Sequence, residues 1–247
     1  MSEEKKRYSK SKFNQYTRCP LSYKYSYVDK ISKGKTNKWA ERGKILHEFF
    51  EKFYDKLPDP EKIVDPTKEF MKASEELIDE LKIDEEYDCT PHIKNFVRLN
   101  KRIYDKLKEK GEIQYFKPIA VEWKQYDEED DFVGIIDAVF KFNDKILLLD
   151  YKTTNYKPGK ESGYRFELAL YIKLWNKFNP ENQVTHWGIY FSGNDVLWTE
   201  PIKKRSINHA KKKTDKIRKD IEDEKFDPGK NPPCAWCDFF WSCYVPR

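Results

Sequence analysis

Residues 134–152 constrain the fold of this chain more than any other stretch, because they read as two apolar segments joined by a short polar turn, GIIDAVFKFNDKILLLDYK. The central pair, Asn143 and Asp144, favours a tight connection between antiparallel strands. With those two residues as the loop, Phe142 pairs with Lys145. The segment therefore predicts a β-hairpin of fixed register.

Three charged residues stand inside this predicted hairpin. The register sets Asp137 opposite Asp150, and two carboxylates that face each other on a sheet repel. Ionised carboxylates among apolar neighbours are also unfavourable, and a hard divalent cation between them would relieve both problems. Side chains two positions apart share a face, so Lys152 points the same way as Asp150. The pattern predicts a metal site with an adjacent lysine, which suits phosphodiester hydrolysis.

Composition limits the class of protein without choosing a function. Of the 247 residues, 37% are charged and 16% aromatic, so a large core is expected to rest on aromatic rings beneath a highly charged surface. The net charge of +5 permits an anionic partner but does not require one. No apolar run approaches the roughly 20 residues of a membrane span, and the first residues lack the apolar segment of a secretory signal. We therefore predict an intracellular protein without a membrane partner.

Hydrophobic periodicity predicts an α/β fold with a mixed central β-sheet flanked by helices. Three consecutive leucines, 147–149, are typical of a strand that is buried on both faces. Helices are predicted over 10–29 (with Ser11 as a possible cap), 39–57, 66–81, 91–110, 163–178 and 206–224. Strands are predicted over 115–124, 131–142, 145–152, 184–191 and 195–201.

Four short blocks in a fixed order carry a resemblance to a known family. The blocks are Gly43-Lys44-Ile45-Leu46-His47, Gly134-x-x-Asp137, Asp150-x-Lys152 and Glu167-x-x-x-Tyr171. With these blocks the chain resembles the PD-(D/E)XK nuclease superfamily, and within it the RecB-like branch. The resemblance implies a restriction-endonuclease-like core, an N-terminal helical region and a Cys-rich C-terminal tail packed against it.

Metal-binding roles are carried over from the resemblance. It implies that Asp137 and Asp150 ligate one or two Mg²⁺ or Mn²⁺ ions, with His47 as a nitrogen ligand that favours Mn²⁺. It also implies that the backbone carbonyl of Tyr151 reaches the metal. Lys152 would hold the attacking water or stabilise charge on the scissile phosphate.

Two further catalytic candidates lie on a predicted helix. Glu167 and Tyr171 are one turn apart, so both side chains can face the site. The family usually has glutamine at the position of Glu167, and the departure leaves a DNA contact or an extra metal contact as alternatives. Glu122, on the strand before the hairpin, is a candidate outer-shell carboxylate.

Four cysteines form a separate pattern. Cys234, Cys237 and Cys243 crowd the C-terminus, which indicates metal ligation by thiolates, and Cys19 stands near the start of the chain. Four thiolates suit a [4Fe–4S] cluster and equally suit Zn²⁺. The chain resembles the iron–sulfur CRISPR-associated RecB-like exonucleases and AddB-type nucleases, which implies a [4Fe–4S] cluster ligated by Cys19, Cys234, Cys237 and Cys243. We predict a structural role for it, because nothing else in the sequence is typical of an electron-transfer protein. Cys89 lies outside the pattern.

These observations together predict one nuclease domain over 1–247, with a mainly helical part (1–110), a catalytic sheet core (111–205) and a C-terminal helix with a cluster-binding tail (206–247).

The predicted function is a metal-dependent deoxyribonuclease, by resemblance an exonuclease acting on single-stranded DNA ends. A structure-specific endonuclease and a non-catalytic nucleic-acid-binding or assembly subunit are the alternatives. A separate helicase, recombination or CRISPR-adaptation proteins are possible partners. The basic clusters Lys203–Arg205 and Lys211–Lys213 fit either a DNA-backbone groove or a solvated charged helix.

Overall fold

The computed structural model describes residues 7–32, 38–229, 232 and 234–243. Their contacts divide the chain into two compact units. The first unit contains the described residues of 1–35, 125–134 and 204–247, and the second contains those of 36–124 and 135–203. The helices are α1 (Lys10–Arg18), α2 (Pro20–Tyr27), α3 (Lys38–Lys56), α4 (Pro66–Glu80), α5 (Thr90–Glu109), α6 (Glu161–Phe178) and α7 (Lys204–Glu222). The strands are β1 (Tyr8–Ser9), β2 (Ala120–Asp127), β3 (Phe132–Phe142), β4 (Lys145–Lys152), β5 (His186–Phe191) and β6 (Val196–Pro201).

A mixed sheet forms the centre of the second unit. β3 pairs antiparallel with β4, β4 parallel with β5, and β5 antiparallel with β6, while β2 lies along β3. Phe142 pairs with Lys145, and Asn143 in the two-residue turn adopts a left-handed φ of 52°. The mixed sheet with flanking helices confirms the predicted fold class, and the hairpin has the predicted register.

Aromatic rings fill one face of this sheet under α3, α4 and α5. Phe50 of α3 stacks on Phe96 of α5 with centroids 4.3 Å apart, and its edge meets the ring of Tyr151 on β4 at 5.2 Å. Phe53 meets Phe70 of α4 at 5.7 Å. Edge-to-face and offset contacts of this kind add to the free energy that burial of the rings contributes. This packing fixes α3 against the sheet.

Helix α6 lies beside the other face. Because side chains alternate along a strand, Asp150 and Lys152 point away from the face that holds Tyr151. The Lys152 ammonium comes within 3.4 Å of Glu167 on α6. Trp123 of β2 contacts Trp175 of α6, with centroids 5.0 Å apart. The charged residues of β4 are thus directed toward α6.

The first unit has its own aromatic core. The β1 strand pairs parallel with the start of β3, through Tyr8 with Phe132 and Ser9 with Val133. Tyr8 stacks on Phe13 of α1 with centroids 5.2 Å apart. The Arg218 guanidinium of α7 lies 5.2 Å from the Tyr8 ring centroid.

Most predicted element limits lie within two residues of the observed ones, but three predictions about the elements are wrong. The single helix over 10–29 is two helices, because Pro20 keeps the preceding Cys19 extended, with φ −163° and ψ 107°. The cap of α1 is Ser9 rather than Ser11; its side chain accepts a hydrogen bond from the Lys12 amide. The strand predicted over 115–124 begins only at 120, after a short 3₁₀ turn at 113–115.

No helix in the described ranges is both long and apolar enough to span a bilayer.

Candidate functional site

A histidine and two carboxylates from three elements of the second unit converge at one point. The Nδ1 atom of His47, on α3, lies 3.7 Å from Oδ1 of Asp137 on β3 and 3.9 Å from Oε1 of Glu122 on β2. One ligand atom from each of the three residues lies within 4.8 Å of the others. Within the described chain these three residues are the group with metal-ligand spacing. One nitrogen with carboxylate oxygens is a donor set that fits Mn²⁺ or Mg²⁺.

Asp137 is held by the backbone of the neighbouring strand. Its Oδ2 accepts a hydrogen bond of 2.6 Å from the Tyr151 amide. Its other oxygen, Oδ1, is the one near His47, and the side chain as a whole is 12% exposed. The pairing of β3 with β4 runs from Phe142 with Lys145 to Ala138 with Leu149. The next pair in this register would be Asp137 with Asp150.

Lys152 bridges two carboxylates on the α6 side of the sheet. Its Nζ lies 2.8 Å from Oδ2 of Asp150 and 3.4 Å from Oε2 of Glu167. The side chain of Asp150 is 4% exposed, and burying an ionised carboxylate at this depth needs a compensating charge. Asp150 contacts Lys152 and is not part of the group formed by His47, Glu122 and Asp137. That Asp150 and Asp137 share a metal stays a prediction.

The field of these carboxylates acts on His47. Burial alone lowers the pKa of His47, but its interactions with Glu122, Asp137 and Asp150 outweigh burial and raise the pKa above its usual value. Burial, and then repulsion from Glu122, raise the pKa of Glu51, one turn after His47 on α3. The pocket therefore carries concentrated negative charge, which a cation would neutralise.

Glu122 reaches this group from an unusual backbone conformation. Its φ is +41°, in the left-handed region that non-glycine residues avoid. Strained backbone of this kind is concentrated at functional sites. The sequence pattern indicated Glu122 only as an outer carboxylate, whereas the structure places it beside His47 and Asp137.

The two candidates on α6 differ in their surroundings. Glu167 contacts Lys152, as described above. Tyr171 is 6% exposed and belongs to the buried face of the helix. Sequence reasoning missed Tyr164, which lies close enough to the site for the charges of Lys152, Glu167 and Asp150 to act on its hydroxyl. The pKa of that hydroxyl is raised, and burial is the largest cause. The position of Tyr164 one turn before Glu167 on α6 was the available signal.

The predicted cluster ligands all lie in the first unit. Cys19 is buried between α1 and α2, while Cys234, Cys237 and Cys243 are half-buried in the C-terminal segment. Burial raises the pKa of the Cys237 thiol, and the neighbouring thiols of Cys19 and Cys243 raise it further. Tyr25 of α2 meets Phe239, with ring centroids 5.6 Å apart. Cys19 and Cys243 thus lie within electrostatic reach of Cys237, but among the described residues the four cysteines do not form a group with metal-ligand spacing. Cys89 lies in the second unit at the start of α5.

The basic residues of α7 are partly neutralised. Lys211 pairs with Asp215 at 2.7 Å, and Lys216 pairs with Asp220, both one turn apart. Such pairs are typical of a solvated charged helix. They weaken the alternative in which this helix lines a DNA groove.

The sequence matches the model of the PD-(D/E)XK nuclease superfamily over residues 7–244. The chain therefore belongs to this superfamily, which confirms the resemblance at the level of the superfamily, while the RecB-like branch stays a prediction. Nucleases of this superfamily generally use divalent metal ions, and the group of His47, Glu122 and Asp137 fits such an ion.

A solved structure shares the fold. A crystal structure from Eubacterium rectale, of a protein named "Putative exonuclease", has a TM-score of 0.56 and 10% identity, and the match covers 99% of this chain and 90% of that one. At this identity the likeness concerns the fold alone. The crystal structure of SSO0001, at TM-score 0.35 and 14% identity over 82% of this chain and 95% of that one, is too dissimilar to inform the argument. No curated protein matches the chain significantly.

Proposed function

We propose that this protein is a metal-dependent deoxyribonuclease that degrades DNA from single-stranded ends. The observation that carries the proposal is the arrangement around β4. Lys152, on β4, lies between the carboxylates of Asp150 and Glu167. The neighbouring strand β3 supplies Asp137, which lies beside His47 and Glu122. Membership of the nuclease superfamily agrees with it.

In this proposal His47, Asp137 and Glu122 hold a Mg²⁺ or Mn²⁺ ion, and Asp150 and the Tyr151 carbonyl are the further ligands that the RecB-like resemblance implies. When bound, such an ion supplies Lewis-acid stabilisation of charge on a phosphate oxygen. The Tyr151 amide orients Asp137 by its hydrogen bond, which leaves one carboxylate oxygen directed toward His47.

Lys152 has a separate task. Asp150 and Glu167 hold its ammonium group in place, so its charge is oriented before substrate binds. A positioned cation stabilises the negative charge that develops on a phosphate during cleavage, and it can also orient the attacking water. Glu167 and Tyr171 are proposed to support this part of the site from α6.

The preference for single strands rests on the RecB-like resemblance, and action from DNA ends rests on that resemblance and on the name of the Eubacterium rectale protein. The same resemblance supports a [4Fe–4S] cluster on Cys19, Cys234, Cys237 and Cys243, with Zn²⁺ as the alternative. Four thiolates contributed by both ends of the chain would stabilise the first unit. A separate helicase or recombination or CRISPR-adaptation proteins are the proposed partners.

Replacement of Lys152 tests the proposal directly. End-labelled single- and double-stranded DNA is incubated with purified protein in Mg²⁺, in Mn²⁺ or in EDTA. We expect cleavage with either ion and none in EDTA, and we expect Lys152→Ala to lose at least about 100-fold in rate, because removing one preorganised charge-stabilising group commonly has that effect. Lys145→Ala, at the exposed start of the same strand, is the matched control and should cleave as wild type does.

The pattern of products gives the mode of action. Mononucleotides or short products released from one labelled end would indicate an exonuclease, and internal cuts would indicate an endonuclease. Well-folded wild-type protein that binds DNA but does not cleave it with either ion would contradict the proposal. That result would favour a non-catalytic binding subunit.

A further inference from the structure

A large aromatic side chain stands in solvent at the start of α3. Trp39 is 68% exposed, whereas Trp175 and Trp187 in the same unit are each 3% exposed. Exposing an indole forgoes the free energy that burial of so large an apolar surface provides. Its exposure is therefore informative about binding.

Arg42 lies next to this indole. The central carbon of its guanidinium is 4.5 Å from the Trp39 ring centroid, so the cation covers part of one ring face. Since the indole is still 68% exposed, the remaining surface faces solvent.

The charge of Arg42 has no carboxylate partner among the residues that the structure describes. By contrast, Arg102 pairs with Asp195 at 2.8 Å and Arg165 with Glu200 at 2.6 Å. The Nε atom of Arg42 is buried without a hydrogen-bond partner. An arginine held in this way retains its full attraction for an external anion.

The pair lies on the helix that supplies His47 to the candidate metal site. Trp39, Gly43 and His47 are spaced four residues apart, so they follow one stripe of α3 that drifts by about 40° at each step. At 1.5 Å per residue, Trp39 precedes His47 by about 12 Å, roughly the length of three stacked nucleotides. A Cβ on Gly43 would lie 3.8 Å from the hydroxyl of Thr153, which follows Lys152. The stripe thus runs past both parts of the site.

We infer that Trp39 and Arg42 form a binding subsite for one unpaired nucleotide of a DNA strand that enters the site. The base stacks on the indole and the adjoining phosphate contacts the guanidinium. The inference rests on the proposed function and deepens it, because it assigns the preference for single strands to two residues.

The subsite distinguishes single-stranded from duplex DNA by whether the face of a base is accessible for stacking. Every base has a π-face that can stack on an aromatic ring, so the contact is tolerant of sequence. In a duplex those faces are already covered by neighbouring base pairs. A duplex can offer only its phosphates, which Arg42 would still contact.

Binding in EDTA tests the inference independently of cleavage. Fluorescence anisotropy of a labelled oligonucleotide gives Kd for single-stranded and for blunt duplex DNA at fixed salt. We expect Trp39→Ala to weaken single-strand binding by about tenfold, since one base stack contributes about 1–3 kcal/mol. Duplex binding should change by less than about twofold. Trp39→Phe should keep most of the affinity, and Arg42→Ala should weaken both substrates.

Trp241→Ala is the control, because Trp241 is 92% exposed but lies in the first unit. It should bind both DNAs as wild type does. If Trp39→Ala binds single strands as tightly as wild type, or loses single-strand and duplex binding equally, the inference is wrong while the nuclease proposal stands. If wild type binds neither DNA, both fail.

Discussion

At the scale of single residues, Glu122 is the clearest case of a residue whose placement destabilises the fold but suits the binding of a cation. A left-handed backbone disfavours a non-glycine residue by about 1–2 kcal/mol. Its carboxylate also repels Glu51, whose pKa it helps to raise. Both effects destabilise the fold without a cation, and both are consistent with a residue retained for binding one.

Comparing glycine with alanine at position 122 separates backbone strain from loss of the carboxylate. Both variants lack the ligand, but only glycine accepts the φ of +41° without strain. We expect Glu122→Gly to exceed Glu122→Ala in unfolding free energy by about 1 kcal/mol, a difference of about 2–4 °C in Tm. Thermal unfolding monitored by circular dichroism in EDTA measures this difference.

The same variants report on metal binding. Mn²⁺ should raise the Tm of wild type, because a ligand that binds only the folded state stabilises it, and the rise should be much smaller in both variants. Glu122→Gln, which keeps the shape but not the charge, should resemble Glu122→Ala in strain. An unchanged Mn²⁺ response in Glu122→Gly would show that this carboxylate is not a ligand.

Residue roles differ in how far the sequence can reveal them. Asp137, Asp150 and Lys152 interrupt apolar strands, so a period-two pattern exposes them. Glu122 stands in a strand that mixes polar and apolar residues equally, and its left-handed backbone depends on tertiary packing that no local pattern records. Trp39 was equally hidden, since nothing in the periodicity of α3 tells whether an aromatic residue at its first turn is buried.

At the scale of elements, the end of β4 is fixed by the neighbouring strand and by α5. The backbone amide of Ser192, which follows β5, donates to the Lys152 carbonyl at 2.9 Å, and its hydroxyl donates to the same oxygen at 3.3 Å. That hydroxyl also contacts Nδ1 of His92 at 2.8 Å, and Asn95 donates to the Ser192 carbonyl. Burial, and then the charge of Arg42, lower the pKa of His92, so the ring stays neutral at pH 7.

Removing the Ser192 hydroxyl should loosen this connection. Ser192→Ala leaves a buried ring nitrogen of His92 without its partner, which we expect to reduce the unfolding free energy by about 1–3 kcal/mol. Since the same hydroxyl steadies the backbone of Lys152, kcat should fall while KM changes little. Urea unfolding and steady-state cleavage rates measure the two effects.

A double-mutant cycle gives the control. His92→Leu removes the other partner, so the double variant should lose less stability than the sum of the two single variants. Strictly additive losses, with an unaltered kcat in Ser192→Ala, would show that the contact does not position the strand.

Element types were easier to predict than element ends. The long helices α4 and α5 repeat apolar residues at helical spacing, and the structure places both within one residue of the predicted limits. The predicted helix over 10–29 failed because its apolar pattern continues through Pro20, whereas the backbone before a proline does not stay helical. Contacts such as Ser192 with His92 join residues far apart in sequence, and a single sequence does not reveal them.

At the scale of the whole molecule, the candidate sites are divided between the units. The residues proposed for catalysis belong to the second unit, and the four cysteines proposed as cluster ligands belong to the first. The family match extends over residues 7–244 and so includes both. The prediction that 1–247 forms one nuclease domain stays a prediction. If the proposed cluster forms, stability of the first unit is expected to depend on Cys19, because the other three proposed ligands lie beyond residue 233.

Replacing Cys19 tests whether a metal bound by the four cysteines stabilises the fold by linking the two ends of the chain. Ligation of Cys19 with the C-terminal cysteines would close a loop containing residues 20–233. Closing so long a loop raises the free energy of the unfolded chain by on the order of 5 kcal/mol. Anaerobically purified wild type should contain about four irons per chain, whereas Cys19→Ser should contain little and unfold at a lower temperature. Cys89→Ala, which removes the cysteine outside the pattern, should keep its iron. Zinc in place of iron would contradict a [4Fe–4S] cluster but not a metal that links the two ends of the chain. Full iron content in Cys19→Ser would contradict Cys19 as a ligand.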